Sequence, residues 1–274
     1  MKTILLLFLF FTAQTVSGQD EYYVISVKGT IKKDPSGQII KPGDRLRQTN
    51  KITFTTPNSA ALLVSRTKGR FVMKPNAPQN GNIMKSLAGA VNDYLNLSTG
   101  NLSTRGIHCA NKVDFVNFLS KDSFLLIGDT AYIRTCKTLY PLSDSTFFYL
   151  QYQFAGDYEQ RKLENEMNKV KFIKSSVFMI NGVSINPEEV SDLELFYGSE
   201  NLHPSRVCSF HPCFVSGADL KATIVNYLEY SGYSKLPVSQ QIDSIKTVIN
   251  DYYGFPDKDE LESWYNKNIK LPNK

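Results

Sequence analysis

Residues 22–75 read YYVISVKGTIKKDPSGQIIKPGDRLRQTNKITFTTPNSAALLVSRTKGRFVMKP, and this stretch decides the fold of the first part of the chain. Short apolar runs with strand character, such as YYVISV, KITF and ALLV, alternate with turn signals made of Gly, Pro, Asn and Asp. In KITF, Ile52 and Phe54 alternate with polar neighbours, which predicts a strand with one buried face, and Leu62 with Val64 repeats the pattern. The stretch therefore predicts a small all-β module.

The residues before this module have the features of a cleavable export signal. Lys2 precedes an apolar run over residues 4–11, and the small residues Val16 and Gly18 follow where a signal peptidase needs them. We therefore expect residues 1–18 to be removed on export, to the periplasm, the cell surface or the extracellular space. No later stretch approaches eighteen consecutive apolar residues, so no transmembrane segment is expected.

The charge of the chain is mildly positive. The 274 residues include 31 Lys and Arg and 26 Asp and Glu, which gives a net charge of +5, and removing residues 1–18 takes away one lysine and leaves +4. This excess is too small to predict nucleic-acid binding, since scattered lysines among acids are typical of a solvated surface.

The module over residues 22–75 resembles the FecR-like domains of bacterial, Bacteroidetes-type cell-envelope proteins. The elements that carry the resemblance are VISVKG, GQIIKPGDRL with Gly43 and Asp44 at a turn, KITFTTPNSAALLV and RFVMKP. The resemblance implies a β-rich extracytoplasmic module used for contacts, at residues 19–75, and none of its elements is a catalytic motif.

The remainder of the chain predicts a linker and a second domain. Residues 76–106 are rich in Asn, Gly and Ser and are interpreted as a linker, and residues 107–274 as an α+β domain with antiparallel strands to about residue 215. FFYLQYQF is long enough for a central strand, and Asn181-Gly182 between two apolar runs predicts a hairpin with a type I′ turn. Because strands come first and helices last, the fold class is α+β.

Three helices are predicted within residues 218–269. Ala218–Tyr230 places apolar residues on one face and ends at Ser231-Gly232. Ser239 is predicted to cap a second helix, and Asp257 with Glu260 forms a capping box for a third. The apolar stripe of the second helix is predicted to consist of Ile242, Ile245, Val248 and Ile249.

Four cysteines make disulfides the leading interpretation for an exported chain, although four cysteines allow three connectivities. They are Cys109, Cys136, Cys208 and Cys213. We favour Cys109 with Cys136 and Cys208 with Cys213, because this pairing requires no contact between distant segments.

The segment HPSRVCSFHPC contains the densest set of metal-capable side chains, because thiolate and imidazole are natural zinc ligands. The set is His203, Cys208, His211 and Cys213. Its spacing matches none of the familiar zinc knuckles, so a structural disulfide is favoured over a metal site or buried thiols. No metal and no cofactor is therefore predicted.

Cys109 is the candidate nucleophile for cysteine catalysis, with His203 or His211 as the base that would hold its thiolate. The alternative for Cys109 is a disulfide or an inert thiol. The chain contains no G-x-S-x-G, no phosphate-binding glycine loop and no H-E-x-x-H.

The leading hypothesis is therefore a non-enzymatic, exported cell-envelope protein that acts as an adaptor or assembly component and binds a protein partner. The alternatives are a secreted hydrolase, cysteine or metal dependent, and a glycan-binding module that uses the abundant Tyr and Phe rings.

Overall fold

The computed structural model describes residues 20–56, 58–75, 83–86, 111–121, 123–199 and 202–269. A strand-rich N-terminal region precedes antiparallel sheets and C-terminal helices, which confirms the predicted α+β fold class. The chain divides into two compact units, residues 1–99 and 100–274. Within the described ranges, no helix has the length and apolar character needed to cross a membrane.

The first unit consists of short strands in its described part. They are β1 (Glu21–Lys28), β2 (Ile31–Asp34), β3 (Gln38–Ile39), β4 (Arg45–Arg47), β5 (Lys51–Phe54), β6 (Ala60–Ser65), β7 (Gly69–Met73) and β8 (Ile83–Ser86). They form two antiparallel four-stranded sheets, in the orders β4-β1-β6-β7 and β3-β2-β5-β8. Strand β8 comes from the predicted linker 76–106, whose other residues lie outside the described ranges.

The turn between β1 and β2 depends on Gly29. Its φ of +69° is in the left-handed region, and a Cβ added there would lie 2.5 Å from the Thr56 hydroxyl oxygen and 2.7 Å from that of Ser59. Glycine therefore meets both the conformational and the steric requirement of this turn.

The core of the first unit confirms one predicted alternation and corrects another. Ile52 and Phe54 are buried while Lys51 is exposed, as the pattern in KITF predicts. Strand β6, in contrast, is buried at every position, so the predicted alternation at Leu62 and Val64 is wrong. Ala61 and Leu63 belong to the core of the unit, and Leu62 and Val64, on the other face of this interior strand, are buried as well.

The second unit contains twelve described strands and five described α-helices. The strands are β9 (Phe124–Ile127), β10 (Thr130–Arg134), β11 (Thr146–Phe154), β12 (Asp157–Lys162), β13 (Glu164–Glu166), β14 (Lys169–Ile173), β15 (Met179–Ile180), β16 (Val183–Ser184), β17 (Ser191–Ser199), β18 (Leu202–Ser209), β19 (Pro212–Val215) and β20 (Phe255–Pro256). The helices are α1 (Lys112–Leu119), α2 (Lys174–Val177), α3 (Gly217–Ser231), α4 (Val238–Tyr252) and α5 (Lys258–Asn268).

The largest sheet of this unit has the antiparallel order β12-β11-β17-β18, so β11, which contains FFYLQYQF, is an interior strand as predicted. A second sheet has the order β10-β14-β13, and β9 pairs in parallel with both β19 and β20. The predicted hairpin at Asn181-Gly182 is confirmed, because it joins β15 to β16 with φ values of 51° and 80°.

The three C-terminal helices are confirmed, with one corrected cap. Helix α4 begins after Pro237 without a side-chain cap, so the predicted cap at Ser239 is wrong, since Ser239 lies inside the first turn. Asp257 caps α5 as predicted. Helix α1 lies in a region where strands were predicted; its N-cap is Asn111, whose side chain accepts a hydrogen bond from the Asp114 amide at 2.9 Å.

Candidate docking face

The predicted disulfide between Cys208 and Cys213 is not present, because the two residues belong to different sheets. Cys208 lies on β18, 3% exposed in the core, and Cys213 on β19 pairs with Leu125 of β9. Both are thiols, and no disulfide joins two of the described cysteines. Cys136 is buried, and because Cys109 lies outside the described ranges, the pairing of Cys109 with Cys136 stays a prediction.

The same geometry separates the candidate metal ligands. Cys208 faces the core, whereas His203 and His211 are exposed. Among the described residues, no group of three or more His, Cys, Asp and Glu side chains is placed to hold a metal ion. The structure therefore does not bring the predicted set of His203, Cys208, His211 and Cys213 together.

Cys208 is also unsuited to nucleophilic chemistry. Burial raises the pKa of its thiol to about 11, although the nearby Arg206 partly lowers it. At neutral pH the group is a protonated thiol, and the thiolate is the reactive form. The hydrolase hypothesis accordingly depends on Cys109, which is not described.

A groove of about 560 Å³ lies where β10 and the β13–β14 turn meet, and it is lined by Tyr132, Arg134, Thr135, Lys137, Glu166, Met167, Asn168 and Lys169. Two of its cations are paired with the first turn of α5: Arg134 Nη2 lies 2.8 Å from Asp259 Oδ2, and Lys169 Nζ lies 2.9 Å from Glu260 Oε1. Because Arg134 and Lys169 are already paired with α5, we do not take this groove as the candidate site.

The described chain shows a second feature, a strong segregation of charge. Residues 20–75 contain eleven Lys and Arg but only four Asp and Glu, whereas residues 100–274 contain eighteen Lys and Arg against twenty-one Asp and Glu. The mild net charge of the whole chain therefore conceals a basic first unit. A basic surface attracts anionic groups, so the first unit is the half of the chain in which we look for a binding surface.

Arginine is concentrated on one face of one sheet in this unit. We call this surface the arginine face, and it consists of Arg45, Arg47, Arg66 and Arg70, four of the eight arginines in the chain. The core of the unit uses Tyr22, Leu46, Leu63 and Phe71 from the opposite face of the same strands.

The strand register brings these arginines together. Across β4 and β1, Arg45 pairs with Tyr23 and Arg47 pairs with Glu21. The row through Arg45 and Tyr23 continues to Val64 of β6 and then to Arg70 of β7. Arg66 follows the last residue of β6, and its turn is held to the start of β1 by a 2.6 Å hydrogen bond from Thr67 Oγ1 to Asp20 Oδ1. With strands about 4.8 Å apart, the face spans about 14 Å.

Three of the four arginines of this face are exposed, whereas Arg70 is half-buried and Val64 in the middle of the row is buried. The Arg45 guanidinium lies 5.2 Å from the centroid of the Tyr23 ring and 4.0 Å from Glu21 Oε2, but its side chain remains 66% exposed. Arg47 and Arg66 are exposed and form no ion pair with any described residue. Exposed ion pairs such as Arg45–Glu21 contribute little to stability, so a partner can replace them at small cost.

The excess of basic residues in the first unit can be read from the sequence, but the net charge of the whole chain does not show it. Counting charges segment by segment isolates residues 20–75, but only the register shows that the arginines lie close together, because they come from two strands and the turn after β6.

Comparison of the chain with protein-family models, curated proteins and solved structures gives no significant match.

Proposed function

We propose that the chain is an exported, non-enzymatic cell-envelope adaptor whose first unit binds an acidic face of a protein partner. The observation that carries the proposal is the arginine face. The expected export signal at residues 1–18 and the resemblance of residues 22–75 to FecR-like contact modules support the compartment and the role.

The composition of the face favours a protein over a uniform polyanion. Asp20 and Glu21 lie among its cations, and Asp20 Oδ2 is 3.8 Å from Lys68 Nζ. A polyanion would be repelled by these carboxylates, whereas a protein surface can present charges of both signs. Arginine and tyrosine, which meet at Arg45 and Tyr23, are the residue types enriched at the centres of protein interfaces.

The proposal is tested by charge reversal in the native envelope. The variant Arg45→Glu/Arg47→Glu/Arg66→Glu and the control Lys32→Glu/Lys51→Glu, which alters the other sheet of the same unit, are each tagged, cross-linked in cells and purified. The partner recovered with the wild type should be lost with the arginine variant and retained with the control. Equal recovery of that partner with all three proteins would contradict the proposal, as would recovery of an anionic polysaccharide instead of a protein.

A further inference from the structure

The four-stranded sheet of the second unit has an outer face that its core does not use. Along β11 the side chains alternate, so that Phe148, Leu150 and Tyr152 are in the hydrophobic core while Tyr149 and Gln151 are on the opposite side. The hydrophobic core of the unit therefore does not include the side chains on the opposite side of β11. Two of those side chains, Phe147 and Tyr149, are aromatic.

The register across the sheet arranges the outer face in rows. One row is aromatic in its middle and cationic at both ends, with Lys162, Tyr149, Phe196 and Arg206. The next row consists of Gln160, Gln151, Glu194 and Ser209. We call these eight residues, together with Tyr158 and Gln153 of the following row, the outer face.

Flat rings are accessible on this face. Phe147 is buried beneath it, with the Lys162 ammonium 3.6 Å from its centroid and the Tyr149 ring 4.7 Å away at 68°. Tyr149 and Phe196 are half-buried, whereas Tyr158, near the start of β12, is 62% exposed. Each of these three rings therefore has a part of its surface in solvent.

The polar groups beside the rings are mostly neutral. Gln160 Nε2 donates to Gln151 Oε1 at 2.9 Å, which leaves the remaining amide donors and acceptors of the pair for a ligand. Glu194 Oε1 accepts from Arg206 Nε at 2.7 Å, so these two formal charges compensate each other, and the Lys162 ammonium remains at the other end of the row.

We infer that the outer face binds a neutral polysaccharide chain. Sugar hydroxyls both donate and accept hydrogen bonds, which matches amides and a compensated ion pair, and the C–H faces of sugar rings match exposed aromatic surface. Four strands about 4.8 Å apart give a flat platform about 14 Å wide, which suits an extended chain better than a single small molecule. This inference is independent of the arginine face and its protein partner.

Affinity gel electrophoresis of the full chain with laminarin, xylan, mannan and soluble starch tests the inference. We expect at least one of these neutral polysaccharides to retard the protein, with affinity about tenfold lower for Tyr158→Ala, near wild type for Tyr158→Phe, and lost for Gln151→Ala/Gln160→Ala. Tyr233→Ala, which removes another exposed tyrosine of the second unit, is the matched control.

Three results would overturn the inference. One is the absence of retardation by all four polysaccharides, and another is wild-type retardation of Tyr158→Ala and of the glutamine variant. The third is binding only to an anionic polysaccharide such as alginate, with loss of binding in Arg45→Glu/Arg47→Glu/Arg66→Glu, because that result would assign glycan binding to the first unit.

Discussion

At the scale of single residues, Asp257 combines a helix cap with a buried carboxyl group. It is 8% exposed, and its Oδ1 accepts hydrogen bonds from the amides of Asp259 at 2.9 Å and Glu260 at 3.1 Å. Burial raises the pKa of this carboxyl, and the two amide hydrogen bonds offset only part of that effect. Over the pH range between the ordinary and the raised pKa, the folded state keeps a proton that the unfolded state has lost.

The sign of this linkage gives a testable pH dependence. The contribution of Asp257 to stability is full below the ordinary carboxyl pKa and is lost as the pH rises through the raised value. Asp257→Asn keeps an acceptor oxygen and cannot ionise, so at pH 7 its free energy of unfolding should equal or exceed that of the wild type. The difference should vanish below about pH 4, where both states of the wild type are protonated.

Urea denaturation at pH 7 and at pH 3.5 measures the free energy of unfolding of the wild type and of Asp257→Asn at each pH. Asp257→Ala, which removes the cap, should lose about 1 kcal/mol at pH 3.5 and less at pH 7, where the buried carboxylate of the wild type has lost part of its contribution. Asp144→Asn changes an exposed carboxyl and serves as the control. A loss of stability in Asp257→Asn as large as that in Asp257→Ala would show that the carboxylate charge itself holds the helix.

The two thiols of the second unit should differ in reactivity. Because Cys208 is in the core and burial raises its pKa to about 11, iodoacetamide at pH 8 should label the half-buried Cys213 first. Peptide mass spectrometry over a time course gives the order, and labelling in urea gives the reference in which both react. Equal rates in the folded protein would mean that the Cys208 side chain reaches solvent.

At the scale of elements, the pairing of β20 with β9 includes a close backbone approach at Gly254. Gly254 has a φ of +123°, and a Cβ there would lie 2.5 Å from the Ser123 carbonyl oxygen, which accepts a hydrogen bond from the Phe255 amide at 2.7 Å. Gly254→Ala therefore combines backbone strain with a clash against backbone, and should cost about 2 kcal/mol or more of the free energy of unfolding.

Gly182→Ala is the matched comparison, because Gly182 has a φ of +80° with open space around it. Strain alone should cost this variant about 1 kcal/mol. Thermal denaturation of both variants, followed by circular dichroism, separates the two contributions. If Gly254→Ala were no less stable than Gly182→Ala, the packing of β20 on β9 would not depend on close approach at Ser123.

The elements that the sequence predicts are those with local signals. The Asn181-Gly182 turn and the apolar stripe of α4 are specified within a few residues, and both are present in the structure. Strand β18 lies in the range where antiparallel strands were expected, but no local pattern gives its bounds, because Pro204 and two register shifts interrupt it and it depends on pairing with β17. The parallel pairs of β9 join segments that are distant in sequence, so no local pattern announces them.

The two candidate surfaces, like the elements, could be predicted from the sequence only in part. The residue types of the arginine face and of the outer face can be read from the sequence, but their assembly depends on register between strands. Arg45 and Arg70 share a face only because Tyr23 and Val64 lie between them. The favoured disulfide between Cys208 and Cys213 was wrong, because spacing along the chain does not show that Cys208 turns into the core.

At the scale of the whole molecule, the two units carry different surfaces. The first unit is basic and presents arginines on a sheet face, whereas the second carries a small excess of acidic residues and presents neutral amides and rings. We have proposed an acidic protein face as the ligand of the first surface and a neutral polysaccharide as the ligand of the second. If both proposals hold, one chain would carry two binding surfaces, as an adaptor does.

The measurement that tests the central claim most directly is site-specific photo-cross-linking in the native cells. A benzophenone amino acid is placed at position 47, in the arginine face, and in a second protein at position 32, on the other sheet of the same unit. We expect one discrete higher-mass product containing a protein partner from position 47 and none from position 32. No product from position 47, or the same product from both positions, would contradict it.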